Sequence, residues 1–191
     1  MTNEGIIVTV SGHPASGTTT LVENLAERLG MDVMSGGDIF REMARERGLE
    51  PYELSEHAET DDSIDAEVDQ RLKNAITDAA ENSDEELIVD SRLAGWHGQG
   101  HADLSVWLEA PRDVRFERLD DRSESKAELR RREESDTKRY KELYNIDIDD
   151  MSPYDVVIDT ESLTTEQVTA TVVGAIRATS GQQNTETPTS L

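Results

Sequence analysis

The sequence has 191 residues, which is enough for one domain with a sizeable core and short for two. It contains no cysteine, which excludes disulfides and thiolate metal sites, and no apolar run of about 18 residues that could cross a membrane. The 42 Asp and Glu residues against 19 Lys and Arg give a formal net charge of −23. This charge argues against a nucleic-acid partner, because binding a phosphate backbone requires basic surface.

The acidic residues admit two interpretations. An acid-rich chain can be disordered, but here the acids are spread along segments with clear apolar periodicity. We therefore expect a folded domain with an acidic surface, typical of a halophilic protein from a high-salt cytoplasm, where salt screens the self-repulsion. The N-terminal residues MTNEG lack the basic-then-apolar order of a signal peptide. We expect a cytoplasmic monomer.

Apolar runs and helical patterns alternate along the chain. Residues 5–11 form a β-branched apolar run that ends in a Gly-rich turn, which predicts a buried strand. The other predicted strands cover residues 31–35, 87–91, 104–109 and 155–159. The predicted helices cover residues 17–30, most of 38–81 with breaks at 48–51 and 60–62, a charged stretch over 111–145, and a segment that begins after Thr164.

The start of the last helix and the start of a polar tail can both be predicted from the sequence. Thr164 with Gln167 three residues later fits an N-terminal capping box, and the segment from Ser180 is polar and is expected to be disordered. Alternating strands and helices imply a parallel sheet covered on both faces, an α/β architecture of five strands. Ligands of such sheets bind at the carboxyl ends of the strands.

Residues 11–20, SGHPASGTTT, have the composition of a phosphate-binding loop. From Gly12 to Thr19 the spacing is G-x-x-x-x-G-x-T, between a predicted strand and a predicted helix. Glycines let backbone N–H groups surround phosphate oxygens, and the helix N-terminus adds positive potential. Thr19 stands where a Ser or Thr would ligate Mg²⁺. The residues expected to hold ATP phosphates are Gly12, His13, Pro14, Ala15, Ser16, Gly17, Thr18, Thr19 and Thr20.

Thr18 departs from the usual loop pattern. A lysine that bridges the β- and γ-phosphates normally stands there, so arginines and Mg²⁺ are the candidates to offset the phosphate charge. The alternative for the loop as a whole is a Gly-rich turn without a ligand.

Arginines follow the predicted strands. Arg41 comes after the second strand and Arg92 after the third, while Arg132 and Arg139 bracket Asp136. A planar guanidinium binds phosphate oxygens bidentately and stabilises charge in phosphoryl transfer. For each arginine alone, a solvated charge or an ion pair with one of the many acids is the alternative.

Two aspartates are further candidates. Asp90 ends a buried strand, where an acid would orient Mg²⁺ through water; the alternative is an Asp that starts a turn. Asp38 could contact an acceptor, but we expect it to cap the helix that follows.

Together these motifs resemble the archaeal-type cytidylate kinases of the nucleoside monophosphate kinase family. The resemblance covers roughly residues 5–178 and rests on six segments, of which SRLAGW and REESDTKRY are the most telling. The others are SGHPASGTTT, GGDIFREMARERG, YNIDIDD and YDVVIDT. It implies one P-loop kinase domain over residues 1–179, with an acceptor-binding helical insertion over about 36–82, a lid over about 122–146 and a tail over 180–191.

The resemblance also implies residue roles. Transfer would run from Mg·ATP to CMP or dCMP, with Arg41 and Arg92 on the acceptor phosphate. Arg132, Asp136 and Arg139 match the family's Arg-x-x-x-Asp-x-x-Arg lid pattern, in which the arginines meet phosphates or the acceptor and the acid helps place the acceptor nucleoside. Ser35 and Asp38 stand where acceptor contacts begin.

The expected mechanism needs no general base, because the acceptor phosphate is already anionic. Arg132 and Arg139 would close over the transferring group, with Arg92 on the acceptor. Two alternatives stay open. The acceptor could be AMP or UMP, or the chain could be a regulatory protein that binds ATP without transfer, which the Thr18 substitution favours.

Overall fold

A computed structural model describes residues 5–82, 84–118 and 126–183. Within these residues the chain forms five strands and eight helices. The strands are β1 (Ile6–Gly12), β2 (Asp32–Ser35), β3 (Glu86–Asp90), β4 (Leu104–Glu109) and β5 (Val156–Asp159). The helices are α1 (Thr18–Leu29), α2 (Gly36–Glu46), α3 (Pro51–Ala58), α4 (Ser63–Glu81), α5 (Ala94–His97), α6 (Arg112–Glu117), α7 (Lys126–Tyr144) and α8 (Thr165–Gln183).

The five strands form one parallel sheet in the order β2-β3-β1-β4-β5, which confirms the predicted α/β architecture. The central strand β1 is buried along its whole length, as its continuous apolar run predicts. Val10 pairs with Asp90 on one side and Val106 on the other. The carboxyl ends of β1, β3 and β4 therefore lie side by side.

Alternate residues of the strands face two different hydrophobic clusters. Val8 and Val10 pack with Leu25 of α1 and Val172 of α8. Ile7 packs instead with residues of α2, α3 and α4, among them Ile39, Leu54 and Leu72. A third cluster joins α7 to the sheet and consists of Leu93, Trp107, Tyr140 and Ile148.

The helix boundaries follow local signals closely. Helix α1 ends at Gly30, whose φ of 76° is accessible to glycine at little cost. Helices α2, α3 and α4 are separated at the two predicted breaks. Helix α5 was missed, because four residues are too few to display a helical period. Within the described ranges, no helix is long and apolar enough to cross a membrane.

The capping box of α8 is confirmed. The backbone N–H of Gln167 donates to Thr164 Oγ1 at 3.2 Å, and that of Thr164 donates to Gln167 Oε1 at 2.9 Å. The helix continues to Gln183, past Ser180, where the polar tail was expected to begin. Residues 1–4 and 184–191, and the first part of the expected lid, 122–125, lie outside the described residues.

Replacing Thr164 with Ala should lower the free energy of unfolding by about 1 kcal/mol, because the N–H of Gln167 loses its acceptor. Chemical denaturation at molar KCl measures the effect. Thr171→Ala is the matched control, since this exposed hydroxyl bonds only a carbonyl within α8. We expect the control to change stability by less than about 0.5 kcal/mol, and an equal loss in both variants would contradict the capping role.

Candidate active site

The loop between β1 and α1 needs its glycines. A Cβ at Gly12 would lie 2.4 Å from Ser16 Oγ and 2.5 Å from the Leu108 carbonyl oxygen, so no larger residue fits. Ala15 and Gly17 have φ angles of 62° and 107°. A Cβ at Gly17 would meet nothing within 4 Å, so the backbone there faces open space. Such a loop lets a ligand approach the main chain closely.

Hydrogen-bond donors without partners lie at this loop. Ser16 is 1% exposed, and its Oγ has no hydrogen-bond partner among the described residues. Helix α1 begins at Thr18 without a side-chain cap and without an acid in its first turn. The first amides of a helix have no partner within it, and they favour an anion. The loop therefore fits a phosphate group.

Asp90 lies next to the loop at the end of β3. Burial raises its pKa to about 6, although the charge of Arg92 acts in the opposite direction. The Thr18 side chain interacts with this carboxylate, whereas Thr19 is exposed. The structure thus brings Thr18, the residue at the usual lysine position, to Asp90.

The residues around Asp90 fit a magnesium ion that shares its ligands with a nucleotide. No group of three or more His, Cys, Asp or Glu side chains in the described part of the chain could hold a metal alone. Mg²⁺ commonly takes one or two protein oxygens together with substrate phosphates. Asp90 with a neighbouring threonine hydroxyl is such a donor set.

Arg115 of α6 supports the loop from behind. It is 4% exposed, and its guanidinium donates to the carbonyl oxygens of Ala110 and Pro14, each at 3.0 Å. It also pairs with Glu133, a buried residue of α7. Sequence reasoning missed Arg115, although it follows a strand end as Arg92 does.

Arg118 was missed as well. It donates to the carbonyl oxygens of Ser16 at 3.4 Å and Thr160 at 2.7 Å. It borders a cavity of about 490 Å³ that opens beside the loop. The cavity is lined by Ala15, Ser16, Gly17, Thr20, Leu21, Leu108, Arg118, Thr160, Leu163, Thr164, Thr165 and Val168.

A chain of charged contacts crosses the other side of the loop. Arg92 donates to the Gly12 carbonyl oxygen at 2.9 Å and to Asp136 Oδ2 at 3.2 Å. Arg139 donates to Asp136 Oδ1 at 2.7 Å and to Asp65 Oδ2 at 2.5 Å. The structure thus brings together three predicted residues, Arg92, Asp136 and Arg139, and adds Asp65 of α4, which had no local signal.

The two carboxylates in these charged contacts are buried. Asp136 is 6% exposed and Asp65 is 8% exposed. Burial raises the pKa of Asp65, and the positive charge of Arg139 opposes that rise. Asp136 accepts hydrogen bonds from both guanidinium groups and thereby fixes their orientation.

The residues at the start of α2 lie apart from this network. Ser35 Oγ accepts the backbone N–H of Asp38 at 3.4 Å, so Ser35 is the N-cap and the expected capping role of Asp38 is wrong. Asp38 instead pairs with Arg41 at 2.6 Å on the surface. Both border a shallow cavity of about 320 Å³. Arg132 is exposed on α7, about one turn before Asp136.

His13 is oriented by its neighbours. Its ring meets the edge of Trp107 with centroids 5.2 Å apart, and its Nε2 is 3.3 Å from Asp149. Burial lowers its pKa, and the charge of Arg115 adds to that effect. A neutral imidazole is therefore expected near pH 7.

Comparison with known proteins identifies the family. Residues 7–162 match the cytidylate kinase-like family. The chain is 44% identical over 178 residues to the cytidylate kinase of Natronomonas pharaonis, covering 91% of this chain and 90% of that one. It is 45% identical to the cytidylate kinase of Halorubrum lacusprofundi, with the same coverage.

Solved structures support the fold. A gluconokinase from Sinorhizobium meliloti superimposes with a TM-score of 0.61 at 15% identity, over 98% of this chain and all of that one. At this identity the likeness concerns the fold alone. The sequence matches extend over most of the chain, and with the phosphate loop and its arginines they lead to one conclusion: the chain belongs to the cytidylate kinase-like family.

Proposed function

We propose that this protein transfers the γ-phosphoryl group of Mg·ATP to CMP and dCMP. One observation carries the proposal. A phosphate loop with unpaired donors lies beside Arg92 and Arg139, which both pair with the buried Asp136, so two phosphate sites can form on adjacent strand ends. A protein that only bound ATP would have no use for the second site. The relatives named cytidylate kinase favour a cytidine nucleotide as acceptor.

The donor nucleotide would use residues 12–20 for its phosphates and the cavity of about 490 Å³ for its base and sugar. The cavity has apolar walls and hydroxyl groups, as nucleotide pockets commonly do. Thr19, Thr18 and Asp90 are the candidate residues for the magnesium ion. When bound, this ion would offset charge that develops on the phosphate oxygens.

The acceptor would bind between the helices over residues 36–82 and the lid over residues 122–146. Arg41 and Arg92 would contact its phosphate, Asp136 would help place its nucleoside, and Arg139 would bind the acceptor and meet the transferring group, with Ser35 and Asp38 near the entrance. Arg132, exposed on α7, would move over the transferring group as the lid closes. Closure excludes water, which would otherwise compete as the acceptor.

Phosphoryl transfer at this site would require correctly positioned reactants and positive charge rather than a general base. The acceptor phosphate is already anionic, so the residues need only hold it in line with the γ-phosphorus. Fixed guanidinium groups in a dry site stabilise the spread charge of the transition state without reorganisation. Arg92 and Arg139 are held this way by Asp136.

The first test is coupled ADP release with Mg·ATP and each of CMP, dCMP, UMP, AMP and GMP at molar KCl. We expect turnover with CMP and dCMP well above the other three. If turnover were highest with AMP or UMP, that nucleotide rather than CMP would be the acceptor. ATP binding without turnover on any acceptor would contradict the proposal and favour a regulatory role.

The lid role of Arg132 predicts a kinetic effect. Arg132→Ala should lower kcat on the order of 10²-fold or more and change KM for CMP much less, because the charge acts in the transition state. Arg131→Ala, which removes the exposed neighbouring arginine, is the matched control and should keep kcat within a few-fold. An unchanged kcat in Arg132→Ala would rule out this role.

The raised pKa of Asp90 predicts a cost in stability. Between pH 4 and 6 the folded protein retains a proton that the unfolded chain has released, so ionisation of Asp90 destabilises the fold above about pH 6. Asp90→Asn removes this penalty. Without nucleotide and Mg²⁺, the variant should exceed the wild type in unfolding free energy on the order of 1–3 kcal/mol at pH 7.

The difference between the two unfolding curves should shrink as the pH falls and vanish below about pH 4. Asp78→Asn makes the same change at an exposed site of α4 and should show no such pH-dependent gain. Phosphoryl transfer should collapse in Asp90→Asn alone. A difference that is independent of pH would contradict the burial of an ionised Asp90.

A further inference from the structure

One carboxylate oxygen of Asp69, in α4, is buried and takes no part in the contacts among Arg92, Asp136 and Arg139. The residue is 8% exposed. His97 Nε2 lies 3.5 Å from Oδ1, and the Tyr144 hydroxyl interacts with the same carboxylate. Oδ2 has no hydrogen-bond partner among the described residues. An unpaired carboxylate oxygen inside a protein is costly, so it calls for a donor that binds there.

Unpaired nitrogens occur on the elements around Asp69. The indole Nε1 of Trp96, the Nδ1 of His97 and the Nε of Arg139 are buried and lack partners within the described ranges. Trp96 and Tyr144 both pack against the third hydrophobic cluster, which contains Tyr140. The junction of α4, α5 and α7 thus combines one free acceptor with free nitrogens and aromatic rings.

The junction lies next to the end of the charged contacts that is farthest from the phosphate loop. The charged contacts run from the Gly12 carbonyl through Arg92, Asp136 and Arg139 to Asp65. Asp69 follows Asp65 by one helical turn on the same face of α4. A nucleotide with its phosphate at Arg92 would extend its base toward Asp69.

The polar atoms match cytosine in chemistry. The Watson–Crick edge of cytosine carries an amino donor at N4 and acceptors at N3 and O2. Uracil presents an oxygen acceptor at position 4 instead. A carboxylate accepts a hydrogen bond from the amino group and repels the oxygen. Indole and guanidinium N–H groups are donors for the remaining acceptors.

We propose that Asp69 recognises the exocyclic amino group of the acceptor base and makes CMP the preferred substrate over UMP. The inference rests on the proposed function and identifies the specificity-determining residue of that acceptor site. His97 lies beside Oδ1 and the Tyr144 hydroxyl interacts with the carboxylate, while Oδ2, which has no partner among the described residues, is left for the base. The aromatic rings beside it supply a stacking surface.

Asp69→Asn tests the assignment, because an amide can turn its NH₂ group toward the oxygen of uracil. With Mg·ATP, we expect kcat/KM for CMP to fall by about 10-fold to 100-fold and for UMP to fall less or rise. The CMP-to-UMP ratio should therefore drop at least about tenfold, a change that a merely structural role would not produce. Asp78→Asn, on an exposed turn of α4, is the matched control and should keep the wild-type ratio.

A second measurement does not depend on how the variant folds. N4,N4-dimethyl-CMP lacks the amino hydrogens, so wild-type kcat/KM for it should be at least about tenfold below that for CMP. Equal rates with the two substrates would overturn the inference. So would a folded Asp69→Asn variant that keeps the wild-type CMP-to-UMP ratio.

The two proposals fail in different ways. Wild-type protein that phosphorylates no nucleoside monophosphate defeats the proposed function and this inference with it. Wild-type protein that phosphorylates CMP and UMP equally well is still a nucleoside monophosphate kinase, and that result defeats the role of Asp69 alone.

Discussion

The buried carboxylate of Asp136 is the interaction on which the arrangement of the site depends. It holds Arg92 on one side and Arg139 on the other, and those two arginines reach the Gly12 carbonyl and Asp65. Four parts of the chain that are far apart in sequence are thereby fixed to one another. Removing Asp136 would leave Arg92 with only the Gly12 carbonyl and Arg139 with only Asp65 among these contacts, which is more damaging than the loss of a surface ion pair.

The same network explains how a chain with a net charge of −23 can serve anionic ligands. Its surface repels phosphates, so the positive charge has to be concentrated inside. Arginine suits this task because it stays charged when buried and donates several hydrogen bonds in a fixed plane. Arg115 is 4% exposed and satisfies two carbonyl oxygens and one carboxylate together.

The sequence predicted those structural features that depend on interactions between neighbouring residues. The apolar run of β1, the breaks that separate α2, α3 and α4, and the cap at Thr164 were all read from neighbouring residues. The Gly-rich loop between β1 and α1 was located in the same way. The cap at Ser35 was missed because Ser35 and Asp38 are both good capping residues.

The pairing of Arg139 with Asp65 and the support from Arg115 could not be predicted, because they join positions 74 and 101 residues apart. Those same distant contacts give the phosphate loop a property of its own. Arg115 and Arg118 donate hydrogen bonds to the carbonyl oxygens of Pro14 and Ser16 and so restrain the loop. The loop therefore holds its shape before any ligand arrives, and a nucleotide that binds there loses little free energy to ordering the backbone.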